Sequence, residues 1–167
     1  GYEPAFKNAT FWTDKNHWHW AINPNLREKV SFMKENLLPM QECGQLKFVN
    51  RGEEMYLENS ELGFDILFAD GHTEKQMLPH INYKGKTLVF TADLVPTVGH
   101  IPIPYLTGYD TRPLLTMQEK SAFMETALDK DFYLFFEHDA HNEICTLQAT
   151  ERGARVNEIF TFNEIFN

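Results

Sequence analysis

The chain has 167 residues, 43% of them apolar, and a formal net charge of −9. That length is enough for one domain with a real core, and residues 1–167 are read as such a domain. So acidic a surface argues against nucleic acid and anionic membranes as partners, and no apolar stretch approaches the ~20 residues of a membrane helix.

The chain opens Gly-Tyr-Glu-Pro, with neither Met nor a signal-peptide pattern, which suggests a piece of a longer protein. Phe11-Trp12, followed by His17-Trp18-His19-Trp20 and punctuated by Asp14, Asn16, Asn23 and Pro24, reads as a short strand and then an irregular or helical entry. Residues 25–38 predict a helix. Asn25 stands as N-cap, Leu26, Val30, Met33 and Leu37 recur at helical spacing, and Pro39 ends the run. Residues 46–50 and 62–69 predict strands, the second closed by the turn Asp70-Gly71. Residues 79–84 predict another, turning at Lys84-Gly85-Lys86 into the buried β run Thr87–Ala92.

Residues 94–113 hold four prolines and two glycines, a long ordered loop of the kind that tends to carry function. Thr116 is placed as the cap of a helix running to about Leu128, with Glu119 completing a capping box. Residues 132–137 predict a strand, and 143–149 with 154–160 a hairpin around Glu151-Arg152-Gly153. Strands in hairpins with helices outside favour a layered α/β sandwich with a mixed sheet over a doubly wound parallel one. The two cysteines, Cys43 and Cys145, lack CxxC or CxxH spacing, so reduced thiols in a cytoplasmic protein are the expectation.

Three residues with metal-ligand chemistry follow apolar strands. They are His72 after Phe-Asp-Ile-Leu-Phe-Ala-Asp-Gly, Asp93 after Leu-Val-Phe-Thr-Ala, and His138 after Tyr-Leu-Phe-Phe-Glu. Ligands gather at the carboxyl ends of strands in open α/β sheets. Two imidazoles and a carboxylate suit zinc, iron or manganese. Being far apart in sequence, the three could meet only through folding.

Asp70-Gly71-His72-Thr73 resembles the Gly-His-Thr motif of the metallo-β-lactamase superfamily. Phe90-Thr91-Ala92-Asp93 is similar to the motif whose Asp bridges two metals, and Phe136-Glu137-His138-Asp139 to the last motif. The resemblance spans residues 62 to about 150. It implies a partial αββα sandwich and a metal-dependent hydrolase of ester, lactone, thioester or phosphoester bonds. It further implies two divalent metals, zinc first with manganese or iron as alternatives. His72 would serve one metal, His138 the other, and Asp93 both.

The superfamily's His-x-His-x-Asp-His is missing. His17-Trp18-His19 supplies only His-x-His, followed by Trp20-Ala21. The reading adopted is that the motif lies before Gly1. His17 and His19 are then packing or pocket-wall residues, and these residues alone hold metal weakly and turn over nothing. An incomplete sandwich would pair with a second copy or with the rest of the protein. His80 and His100 are read as pocket residues. Tyr109 and Arg112 are placed in a loop lining a small-molecule substrate pocket, where Arg112 either orients an anionic group or pairs with Asp110 to hold the loop. The rival to an enzyme is a non-catalytic binding domain that keeps the fold without a complete metal site.

Overall fold

The computed structural model describes residues 2–166, which leaves Gly1 and Asn167 outside it. Strand β1 (Phe11–Thr13) leads into helix α1 (Lys15–Ile22), helix α2 (Lys34–Glu42) and strand β2 (Leu46–Phe48). Strands β1 and β2 pair in parallel as a small separate sheet. Strands β3 (Tyr56–Leu57), β4 (Asp65–Ala69), β5 (Gln76–Tyr83) and β6 (Lys86–Phe90) follow as an antiparallel meander. Helix α3 (Pro113–Asp129) crosses to β7 (Tyr133–Phe135), which pairs in parallel with β6. The hairpin β8 (Ile144–Thr150) and β9 (Gly153–Phe160) and the short helix α4 (Phe162–Phe166) close the chain.

The main sheet has seven strands in the order β3-β4-β5-β6-β7-β8-β9. Its single parallel pair falls where the connection is long enough for a helix, as a parallel crossover requires. Alternate residues serve opposite faces. Leu78, Val89, Leu134 and Cys145 join Phe123, Met124 and Ala127 of α3 in the main core. Leu88 and Ile144 join Ile165 of α4 in a second cluster with Tyr133, Phe135 and Phe160. The mixed sheet with flanking helices is the architecture expected.

Three local expectations are corrected. Residues 25–38 do not form one helix. Asn25 Oδ1 accepts from the Arg27 and Glu28 amides at 2.9 and 3.0 Å, capping an isolated turn, and the helix begins only at Lys34, with Pro39 inside it. The first half of the stripe that suggests a helix faces solvent, with Leu26 93% and Val30 81% exposed, so no burial holds those residues helical. Helix α3 starts at Pro113, not Thr116, because proline at the first position lacks only an N–H that would be unpaired anyway. Glu119 caps no helix: its carboxylate accepts from the Asp70 and Gly71 amides at 2.8 and 2.9 Å. Among the described residues, no helix is long and apolar enough to cross a membrane.

Candidate metal centre

The turn after β4 is built to present His72. Glu119 grips its first two amides from α3, and the Gly71 carbonyl accepts from the Arg112 amide at 2.8 Å. A Cβ on Gly71 would lie 2.4 Å from the Thr116 backbone nitrogen; only glycine lets this turn sit so close to α3. The next residue, His72, points into a cleft of about 590 Å³. The same cleft is lined by Asp93, His138, Glu137, Glu28, His17 and Tyr109.

Asp93 arrives from the end of β6. Thr91, fully buried, places its hydroxyl 2.8 Å from the Val95 carbonyl and 3.0 Å from the Phe135 carbonyl, so its one proton is shared between them and fixes the chain as it leaves the sheet. Ala92 then adopts φ 44°, a left-handed conformation uncommon for a residue with a side chain. Such a kink is often kept where a functional side chain must be aimed, and here it precedes Asp93. His138 follows β7, with its amide donating to the Pro96 carbonyl at 3.2 Å. Asp139 beside it accepts from the amides of Val98, His141 and Asn142. This ties the last loop to the start of the 94–113 loop.

The three side chains converge. His72 Nε2 lies 3.3 Å from Asp93 Oδ2, and His138 Nε2 lies 3.3 Å from Asp93 Oδ1. One carboxylate thus stands between two imidazoles, giving each a different oxygen. Donor atoms of Asp93, Glu137 and His138 also lie within 4.8 Å of one another.

The far side of the His72 ring decides its chemistry. Nδ1 is 2.8 Å from Asp110 Oδ1, and Asp110 is buried. A carboxylate there accepts the ring's N–H, which in a neutral imidazole leaves the Nε2 lone pair facing Asp93. Two acceptors then face each other across 3.3 Å, an arrangement satisfied by a proton or by a cation. Burial opposes charge on His72. The Asp110 hydrogen bond and the negative charges of Asp93, Asp110 and Glu28 outweigh it and raise the pKa above the ordinary value. Asp110 itself is held below the usual carboxylate range: burial works against this, and the bonds from His72 and Thr107 prevail. The donor set, an oriented imidazole, a shared carboxylate and a second imidazole, fits a divalent metal.

Asp110 and Glu28 escaped the sequence reading. The sequence places Asp110 in the pocket-lining loop and offers it as a partner for Arg112, and nothing in the spacing links it to His72. Glu28 is buried, with its carboxylate accepting from Thr73, Trp20 and Asn25. It falls within residues 25–38, whose amphipathic pattern gives a charged residue no role beyond a solvated face.

Other expected pocket residues lie elsewhere. His80 is 2% exposed on β5 and borders a different cavity; it shares a strand face with Gln76, which does line the cleft, but stands farther along the strand from the cleft end. His100 ends a 3-10 turn, with Nδ1 on Thr97 Oγ1 at 2.8 Å, and is not among the cleft residues. Arg112 also stands outside the cleft. Its guanidinium donates to the Asp70 carbonyl and to Glu74 Oε2 and lies 5.0 Å from the Trp20 ring centre, so its fork holds the scaffold rather than Asp110. Tyr109 does line the cleft and is largely exposed. His17 is a cleft wall whose Nδ1 lies against the Glu74 carbonyl, while His19 is solvent-exposed on α1. The 94–113 loop is ordered from beneath by Lys120. That buried ammonium donates to the carbonyls of His100, Pro102 and Tyr105, and burial pushes its pKa down to about 8.

No family model matches the sequence, and no curated protein does. Solved structures do resemble it. A probable metal-dependent hydrolase from Staphylococcus aureus superposes with a TM-score of 0.78 at 22% identity, over 95% of this chain and 54% of that one. AidC, a dizinc quorum-quenching lactonase, gives 0.73 at 18% identity, over 95% and 58%. AbOPH, a hydrolase of the beta lactamase superfamily, gives 0.73 at 17%, over 93% and 57%. This chain spans a little over half the length of each. The fold is therefore the one these hydrolases share, as the three motifs imply.

Proposed function

We propose that these residues form the His72–Asp93–His138 side of a metal-dependent hydrolase of the metallo-β-lactamase superfamily, completed by ligands from outside them. The observation that carries this reading is the single Asp93 carboxylate facing the Nε2 atoms of two imidazoles at 3.3 Å each. His72 would hold one divalent metal, His138 a second, and Asp93 both. Zinc is the first choice, because the dizinc lactonase shares the fold; manganese and iron also suit this donor set. Such a metal pair supplies a water acidic enough to ionise near pH 7 and polarises an oxygen of the scissile bond.

The chain's own residues set the stage for that chemistry. Asp110 fixes the tautomer and tilt of His72. Gly71 and Glu119 fix the turn that carries it. Trp12, Phe32, Met77 and Tyr109 give the cleft an apolar wall, which suits a small substrate with an apolar part. The bond cleaved is an ester, lactone, thioester or phosphoester.

Two imidazoles and one carboxylate shared between two sites fall short of the three protein ligands that a catalytic zinc ordinarily needs. Residues 1–167 alone therefore hold metal weakly and are inert. Apolar side chains left in solvent, among them Leu26, Val30, Ile159 and Phe162, suit pairing with the remainder of the protein or with a second copy. The experiment is exhaustive chelation of the protein that carries these residues together with its upstream sequence. Loss of lactone and ester hydrolysis, restored by zinc, is expected, with Asp93→Ala far more damaging than Arg112→Ala. Activity that survives chelation defeats the proposal.

A further inference from the structure

A second cavity, of about 410 Å³, lies between α3 and strands β3, β4 and β5, and shares no lining residue with the metal cleft. Its walls are mostly apolar: Leu67, Phe68, Leu94, Phe123 and Phe132 contribute. Its volume falls within the ~300–1,000 Å³ of small-molecule sites. His80 borders it, buried, and neither ring nitrogen has a hydrogen-bond partner among the described residues. The ring sits edge-on to Phe132, Tyr56 and Phe123, with centroids 5.2, 5.4 and 6.3 Å away.

A buried imidazole without partners is costly, and such groups ordinarily find one. We propose that this cavity is a binding site for a small neutral molecule with an apolar body and one hydroxyl, of the size of a phenol or a short alcohol, held by His80. A hydroxyl suits the site because it donates as readily as it accepts, and so matches whichever nitrogen it meets. Burial depresses the His80 pKa to about 4, so the ring offers no positive charge to an anion at neutral pH. The other polar groups on the walls are engaged. Tyr56 donates to Asp65, Glu119 accepts the Asp70 and Gly71 amides, and Thr126 donates to the Ala122 carbonyl. Lys130 borders the cavity but is exposed to solvent. A carboxylate would have to shed its hydration against the apolar walls.

The test titrates the 167-residue chain with phenol, toluene and benzoate and follows methyl resonances. Ala122, Met55 and Leu94 report the cavity; Met77 and Ala92 report the cleft. Phenol should shift the cavity methyls saturably and leave the cleft methyls in place, with benzoate weaker than phenol. His80→Phe should lower the ratio of phenol to toluene affinity about fivefold, the worth of one net hydrogen bond. Ala122→Leu fills the cavity from α3 without altering His80, and should weaken phenol and toluene alike. Phenol shifts confined to the cleft, benzoate binding tighter than phenol, or an unchanged ratio in a folded His80→Phe protein would each overturn the assignment. So would full phenol affinity in Ala122→Leu.

Discussion

Replacing His80 by Phe should change how stability depends on pH. The imidazole is buried among Tyr56, Phe123 and Phe132 with no hydrogen bond to either nitrogen. Burial dominates its titration and drives the folded-state pKa down to about 4; Asp65 opposes weakly and Lys130 assists. In the unfolded chain the ring titrates near 6.5. Between these values the unfolded state binds a proton that the folded state refuses, so stability rises with pH. The stability is fully present above pH ~6.5 and is lost as pH falls toward ~4. At ~1.4 kcal/mol per pKa unit the full loss is about 3 kcal/mol. Phenylalanine keeps the ring and its packing but has nothing to protonate. Urea unfolding of both proteins from pH 7.5 to 4.5 gives the difference curve, in which the other histidines and the carboxylates cancel. The variant should gain on the wild type as pH falls, by about 2 kcal/mol or more at pH 4.5. A difference that stays flat across the range would mean that His80 reaches solvent or a partner in solution.

Asp110→Asn keeps the shape beside His72 but removes the carboxylate that fixes its tautomer. Zinc affinity of the complete protein, measured by competition with a chelator, should fall about tenfold to a hundredfold. Gly71→Ala puts a Cβ 2.4 Å from the Thr116 backbone; it should cost about 2–3 kcal/mol in urea unfolding, as overpacking against an immovable neighbour does. Lys120→Met leaves three loop carbonyls without their donor. Amide hydrogen exchange should quicken within residues 98–106 while the sheet stays protected.

The sheet was legible because its strands are short apolar runs bounded by turn residues. Lys84-Gly85 and Glu151-Arg152-Gly153 mark hairpins that the structure contains. The convergence of His72, Asp93 and His138 was legible because each follows a strand, and strand ends on one edge of a sheet converge. What failed depended on tertiary context. Leu26 and Val30 have helical spacing but no surface to bury against. Glu119 has the spacing of a capping box, yet its oxygens go to a turn almost fifty residues earlier in the chain. Asp110 gave no signal, because a side chain that orients a ligand is chosen by distance in space and can stand anywhere in sequence. His80 and Arg112 carry the right chemistry in the wrong place. His80 stands too far along β5 to reach the cleft that Gln76, on the same face, does line, and the Asp70–Glu74 turn takes up Arg112.

The central claim is that His72, Asp93 and His138 form one pole of a metal site. It is tested most directly by zinc titration of the 167-residue chain, read at the ring nitrogens of its histidines by NMR. The Nε2 resonances of His72 and His138 should both move, with weak affinity, and stay in place in Asp93→Ala, while those of His80 and His100 do not respond. Zinc that moves His17 or His19 while leaving His72 and His138 unchanged would contradict the account.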